Sequence, residues 1–270
     1  MSSDEQPVLQ VHDLSVAFGP KQVLDNISFT LGPGMFTGLI GPNGAGKTTL
    51  FRAILGIGEP FTGEVLIDGR PATAGHGSLG YVPQRIDLDV DLPLTALDVV
   101  ALGLDDVRFG TGLRKAANRE QAMETLRLVG ADSFADQRVG TLSGGQQQRL
   151  MIGHALARQP RLLLLDEPFA NLDMANTAEI AHLLRTLADT RGITILLSVH
   201  EVNSLLGVLD HVVYLANGNV AEGPVDKVIT TEVLSRLYQR KVEVVDVDDR
   251  LFVLIPDELD LSAATSGGRK

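Results

Sequence analysis

The clearest chemistry in the chain lies in Gly41-Pro42-Asn43-Gly44-Ala45-Gly46-Lys47-Thr48, followed by Thr49. Glycines at this spacing let successive backbone N–H groups converge on phosphate oxygens, and a following helix N-terminus adds its partial positive charge. Lys47 would reach the β- and γ-phosphates as a mobile point charge, and the Thr48 hydroxyl would ligate Mg²⁺. The plain alternative is a glycine-rich turn that holds nothing. The flanking sequence decides for a nucleoside triphosphate. An apolar run, Met35–Ile40, precedes the motif and a helix-compatible run, Thr49–Leu55, follows it. That order of strand, loop and helix is what the pattern G-x-x-x-x-G-K-[ST] needs.

Two further stretches bear on the same ligand. Asp166 closes the run Arg161-Leu-Leu-Leu-Leu-Asp166, at the carboxyl end of a predicted buried strand, where ligands bind in open α/β sheets. A carboxylate there assists Mg²⁺, and Glu167 beside it could accept a proton from an attacking water. The bland alternative is a strand-end aspartate capping a turn. In Thr141-Leu142-Ser143-Gly144-Gly145-Gln146-Gln147-Gln148-Arg149, a serine followed by two glycines opens a helix. By physics alone this is either an anion-binding terminus or a well-capped helix.

Periodicity predicts the elements that must hold these groups. Val8–Phe18 and Val23–Leu31 read as strands joined by a turn at Gly19-Pro20-Lys21, and Gly63–Gly69 and Leu79–Pro83 as short β runs. From Leu92 to about Leu156 the pattern is helical. Thr95 is a candidate N-cap for Ala96–Leu102, a second helix runs over Ala116–Val129 and stops at Gly130, and a third runs from Gly145 or Gln146 to Arg158. Arg161–Asp166 and Ile193–Ser198 are continuously apolar, as strands buried on both faces of a parallel sheet are. The amphipathic helix Thr177–Thr190 between them completes a βαβ unit. After Ser198-Val199-His200-Glu201 come a helix, the strand His211–Leu215, a turn at Asn217-Gly218, a short helix Thr231–Tyr238 and a strand pair, Val242–Val247 and Leu251–Ile255. Ser262–Lys270 is expected to fray.

Composition narrows the function classes. A net charge of −11 over 270 residues argues against broad nucleic-acid binding, whose affinity comes from Lys and Arg facing phosphates. Zero cysteines exclude disulfides, cysteine-ligated zinc and thiol catalysis. At 44% apolar and 4% aromatic, the expected core is aliphatic. Met1–Pro7 lacks the basic and apolar regions of a secretory signal, and no stretch approaches the ~20 apolar residues of a bilayer span. A soluble chain is expected.

These motifs together closely resemble the nucleotide-binding subunit of ATP-binding cassette (ABC) transporters, over roughly residues 8–240 and in the family's order. Phe18 stands where the family places an aromatic under the adenine. Gly41–Thr48 matches Walker A, Gln84 in Tyr81-Val-Pro-Gln84 the Q-loop glutamine, and Leu142–Gln146 the LSGGQ signature. Leu162–Asp166 with Glu167 matches Walker B and the catalytic glutamate, Asn171-Leu172-Asp173 the D-loop, and His200 the switch histidine. Phe18 replaces the commoner tyrosine, Asn171 a small residue and Met174 a frequent proline; none of these removes a catalytic group.

The resemblance implies an α/β fold: a P-loop NTPase core of mainly parallel sheet, an antiparallel β subdomain and an inserted helical subdomain. The expected division is an ATP-binding domain over 1–240, with its core at 1–86 and 157–240 and its insert at 87–156, then a hairpin and tail over 241–270. It implies ATP and Mg²⁺ as ligands, the metal being held by Thr48, Gln84 and Asp166. It implies a head-to-tail homodimer in which Leu142–Gln146 of one copy face the ATP held by the other. In that scheme Glu167 polarises the water, His200 contacts the γ-phosphate and Gln84 links the metal to the membrane partner. Further implied partners are integral-membrane permease subunits and, indirectly, an extracytoplasmic substrate-binding protein, which places the chain on the cytoplasmic face of the membrane.

The stretch Tyr81–Gly103 resembles subunits that energise uptake of manganese, zinc or iron, though Leu104 stands where arginine is usual. Service to another cargo or an exporter is the first alternative. A soluble ABC protein acting on ribosomes or DNA is a weaker one, because a second cassette and a long coiled-coil insertion are both missing. Asp87, Asp89 and Asp91 read as a solvated acidic loop, since Leu92 occupies the glycine position of an EF-hand. His12, His76, His154, His182 and His211 have no ligand spacing, and Arg108, Arg114, Lys115 and Arg119 read as a solvated basic face.

Overall fold

A computed structural model of the chain describes residues 6–84, 93–104, 112–170, 172–199, 205, 207–247 and 250–254. Its elements run β1 (Leu9–Phe18), β2 (Lys21–Leu31), β3 (Phe36–Ile40), α1 (Lys47–Ile54), β4 (Phe61–Ile67), β5 (Arg70–Pro71) and β6 (Leu79–Val82). Three helices follow, α2 (Ala96–Leu104), α3 (Gly112–Leu128) and α4 (Gly144–Leu156), with two 3-10 turns between the last pair. The chain then forms β7 (Leu162–Leu165), α5 (Met174–Arg191), β8 (Thr194–Val199), β9 (His211–Ala216), β10 (Asn219–Pro224), α6 (Val225–Val228), α7 (Thr231–Tyr238), β11 (Glu243–Val247) and β12 (Arg250–Leu254).

A six-stranded sheet in the order β10-β9-β3-β8-β7-β6 forms the centre. All its neighbours are parallel except β9 and β10, which form a hairpin. The leucine run of β7 shows why this sheet lies inside. Leu162 and Leu164 enter one apolar cluster, with α1 and the antiparallel sheet β2-β1-β4-β5. Leu163 and Leu165 enter the other, with α2, α4 and α5. Each is fully buried, contributing about 2 kcal/mol against exposure. Period-two alternation thus serves two cores, and no polar face remains. This α/β architecture, with its antiparallel sheet and its helices between β6 and β7, is the fold class expected from sequence.

Element ends follow local chemistry. Thr95 and Asp98 cap α2 reciprocally: the Asp98 N–H donates to Thr95 Oγ1 at 3.2 Å, and the Thr95 N–H donates to Asp98 Oδ2 at 3.0 Å. Asp173 caps α5, which begins at Met174, three residues before the predicted start. Sequence reading placed the turn at Asn217-Gly218 but stopped there. With φ of 52° and 78°, the two residues form a tight hairpin turn and β10 returns along β9. The strand escaped notice because Asn219–Pro224 carries few apolar side chains. Residues 201–204 and 206 of the helix expected after Glu201, the acidic loop Asp87–Asp91, Arg108 and the tail Ser262–Lys270 lie outside the described residues, and 207, 208 and 210 form turn and bend.

At the foot of β9, His211 is 7% exposed and its Nε2 stands 3.3 Å from Glu222. Burial pushes its pKa below the ordinary 6.5, opposed by the charges of Glu222 and Asp210. The folded chain therefore releases this proton at a lower pH than the unfolded chain. The stability that His211 contributes is full above the ordinary imidazole value and is lost as pH falls below it. We expect the urea midpoint to drop between about pH 7.5 and 5.5, and His211→Gln to flatten that drop. An identical pH slope in both proteins would contradict the assignment.

Candidate functional site

Parallel pairing sets the carboxyl ends of β6, β7, β8 and β3 side by side. Each is followed by a stretch singled out from sequence. β3 runs into Gly41–Thr48, β6 into Gln84, and β7 into Asp166 and Glu167. β8 ends at Val199, which pairs with Ile40. His200, next in the chain, lies outside the described residues, as does Asn171. Neighbouring strands lie about 4.8 Å apart, so β7 and β3 stand roughly 10 Å apart with β8 between them.

The phosphate loop is shaped by its glycines. Gly46, at φ 102°, is the N-cap of α1, and a β-carbon there would stand 2.6 Å from Leu24 Cδ2. At Gly41 the same atom would collide with the Leu215 carbonyl of β9. Lys47, the first residue of α1, donates to the carbonyls of Gly41 at 2.5 Å and Pro42 at 3.3 Å. It is 8% exposed. Burial pushes its ammonium below the ordinary lysine range, against the opposing fields of Glu167 and Asp166. The two carboxylates and Lys47 thus share one electrostatic site. Phe18 is 40% exposed at the tip of the β1–β2 hairpin, whose Val23 and Leu24 close on Gly46.

Ser198 joins the two carboxylate residues. It is fully buried near the end of β8, donates to Asp166 Oδ1 at 2.6 Å and accepts the Glu167 N–H at 2.8 Å. Glu167 sits at φ 47°, sparsely populated by a residue with a side chain, and the N–H bond to Ser198 and its carbonyl's bond from Ala170 hold it there. Gln84 Nε2 donates to Glu167 Oε2 at 2.5 Å. A carboxylate only accepts, so the amide group of Gln84 is oriented and its carbonyl oxygen is left for another partner. Sequence reading missed Ser198. Its signal was a hydroxyl, the second after Thr194, in the otherwise apolar run Ile193–Val199.

The signature residues are organised elsewhere. Ser143 caps α4 with a reciprocal pair: its N–H donates to Gln146 Oε1 at 2.9 Å and its Oγ accepts the Gln146 N–H at 3.4 Å. Leu142 is buried. Gly144 and Gly145 lie against Leu172 and Asn176, so the signature meets the segment around Asp173. The chain therefore holds two groups of candidate residues: the loop with its carboxylates and Gln84, and the signature with Leu172 and Asp173.

Ser198→Ala should leave Asp166 without the Ser198 donor and Glu167 without one of its two backbone restraints. We expect turnover of ATP to fall roughly 10- to 100-fold, as for loss of an orienting partner, with folding cost of about 1–3 kcal/mol. Steady-state phosphate release and thermal melts check this, and unchanged release would show that the carboxylates orient themselves.

A family model described as ABC transporter matches residues 24–170, more than half of the chain. The manganese transport system ATP-binding protein MntB of Halalkalibacterium halodurans is 37% identical over 92% of this chain and 98% of its own length. The zinc transport system ATP-binding protein TroB of Treponema pallidum is 37% identical over 87% of this chain and 88% of its own. Among solved structures, an ATP-binding cassette of an ABC transporter in its ADP conformation is similar with a TM-score of 0.74 at 25% identity, covering 87% of this chain and 98% of that one.

Proposed function

The chain belongs to the ABC transporter family, as an ATP-hydrolysing subunit, and from that premise we propose that it powers uptake of a divalent metal ion, manganese, zinc or iron. It works as a head-to-tail pair on the cytoplasmic face of a membrane, held there by permease subunits that receive cargo from an extracytoplasmic binding protein. Support for the cargo comes from the two relatives named for manganese and zinc transport. Among the described residues no helix is long and apolar enough to cross a membrane. Residues 1–86 and 157–240 serve as the ATP-binding core, 87–156 as its helical insert and 241–270 as an accessory hairpin and tail.

What supports the paired arrangement is that the two groups have different neighbours within one chain, the loop lying against Leu215, Val23 and Leu24 and the signature against Leu172 and Asn176. Gly41–Thr48 and Thr49 hold the triphosphate, with Phe18 against the base, while Leu142–Gln146, Asn171, Leu172 and Asp173 of the second copy close over the γ-phosphate. Glu167 takes the proton of the attacking water, and its carboxylate is aimed by Gln84 and its backbone by Ser198. His200 contacts the γ-phosphate. Lys47, whose ammonium burial pushes below the ordinary lysine range, meets the phosphates as a cation favoured by their charge. Catalysis here is positioning and charge stabilisation.

Mg²⁺ fits the donors present. The Thr48 hydroxyl, the Asp166 carboxylate and the free Gln84 carbonyl are hard oxygens. Among the described residues no cluster of three or more His, Cys, Asp or Glu offers a cage, which suits an ion held by one carboxylate plus phosphate oxygens. When bound, the ion neutralises charge developing on the phosphates.

Glu167→Gln should bind ATP, form the dimer and lose roughly 10²- to 10⁴-fold in hydrolysis, the range for a general base; unchanged turnover would remove that role. Ser143→Arg should abolish turnover while an isolated subunit still binds nucleotide. Full hydrolysis by a monomer of that variant would overturn the composite site. Purified from its native membrane, the chain should retain a polytopic protein, and cells carrying Glu167→Gln should lose manganese or zinc accumulation. Ribosomal subunits in place of the membrane protein would end the transport reading.

A further inference from the structure

We propose that Asn176, in the first turn of α5, is a positioning residue that fixes the signature helix α4 against the turn at Asp173, setting with one side chain the spacing of the two segments offered to the partner's nucleotide. This rests on the paired arrangement above.

The geometry begins with Asp173. Its Oδ1 accepts the backbone N–H of Asn176 at 2.8 Å, which caps α5. The side-chain Nδ2 of Asn176 adds bonds to Asp173 Oδ1 and Oδ2, each at 3.0 Å. These bonds settle which way the amide points, because a carboxylate only accepts. Nδ2 faces Asp173, so Oδ1 faces away, and there it occupies the place where a β-carbon on Gly145 would stand. Gly145 lies inside α4 and has no positive φ, so backbone freedom does not explain a glycine there. Close approach of Asn176 does.

A second tie lies one turn further along both helices. Arg149 of α4 pairs with Glu179 of α5 at 2.6 Å and also donates to the Val129 carbonyl at 3.1 Å. The ion pair holds the helices together, and Asn176 sets their separation at the functional end. The Asn176 contacts also pull the Asp173 carboxyl below its ordinary range, keeping it charged.

Substitution separates this role from plain capping. The α5 cap uses the backbone N–H of residue 176, so it survives Asn176→Ala. The contact of the amide with Gly145 does not. We expect Asn176→Ala to keep its melting temperature and the ATP affinity of the isolated subunit, while kcat falls on the order of 10-fold or more through misplacement of the partner's groups. Asn176→Asp, the same size but facing Asp173 with like charge, should fall further. In a Glu167→Gln background, Asn176→Ala should weaken ATP-dependent dimerisation measured by light scattering. An unchanged kcat and dimer would overturn the proposal, as would a loss of kcat matched by equal losses in melting temperature and ATP affinity. If the Glu167→Gln parent itself forms no ATP-dependent dimer, the paired arrangement fails, and this role with it.

Discussion

Burial of the central sheet on both faces is the constraint on which the rest depends. Once α1 and the antiparallel sheet cover one side and α2, α4 and α5 the other, the parallel strands lie in register and their carboxyl ends form one edge. A slip of one residue in β7 would exchange Leu163 and Leu165 for Leu162 and Leu164 between the two clusters and move Asp166 along the edge. The energy of the aliphatic core is thus what holds the phosphate loop, the carboxylates and Gln84 at fixed separations.

On that edge the electrostatics are arranged around a tension. Lys47 is drawn toward losing its proton by burial and toward keeping it by Asp166 and Glu167. Ser198 fixes one carboxylate by its hydroxyl hydrogen and the other through the backbone, using both its donor and its acceptor capacity. One buried serine on β8 therefore links the strand that precedes His200 to the end of β7. Such a link suits a reaction that needs little covalent chemistry and much prior arrangement of charge.

The second group of residues obeys a different logic. The α4 cap is self-contained, with Ser143 and Gln146 satisfying one another, so the signature helix would form wherever it was placed. Its position comes from α5, through Asn176 at Gly145 and Glu179 at Arg149. The phosphate loop answers to the sheet and the signature answers to a neighbouring helix. The two groups thus have separate structural supports.

Much of this was legible in the linear sequence, where the chemistry is local. Gly41–Thr48, the Ser143 cap, the buried leucines of β7 and the helix Thr231–Tyr238 follow from residue types at short spacing, because turn geometry, capping and two-sided burial are read within a few residues. Tertiary structure alone decided what depends on distant strands meeting. Ser198 became a clamp only because β8 lies beside β7, and β10 formed because a tight turn carried a nearly featureless segment back along β9. The glycine at 145 acquired a reason only when α5 brought Asn176 against it. Short-range sterics and hydrogen bonds are written in neighbouring residues, whereas contacts between residues 31 or more apart are chosen by how the whole core packs.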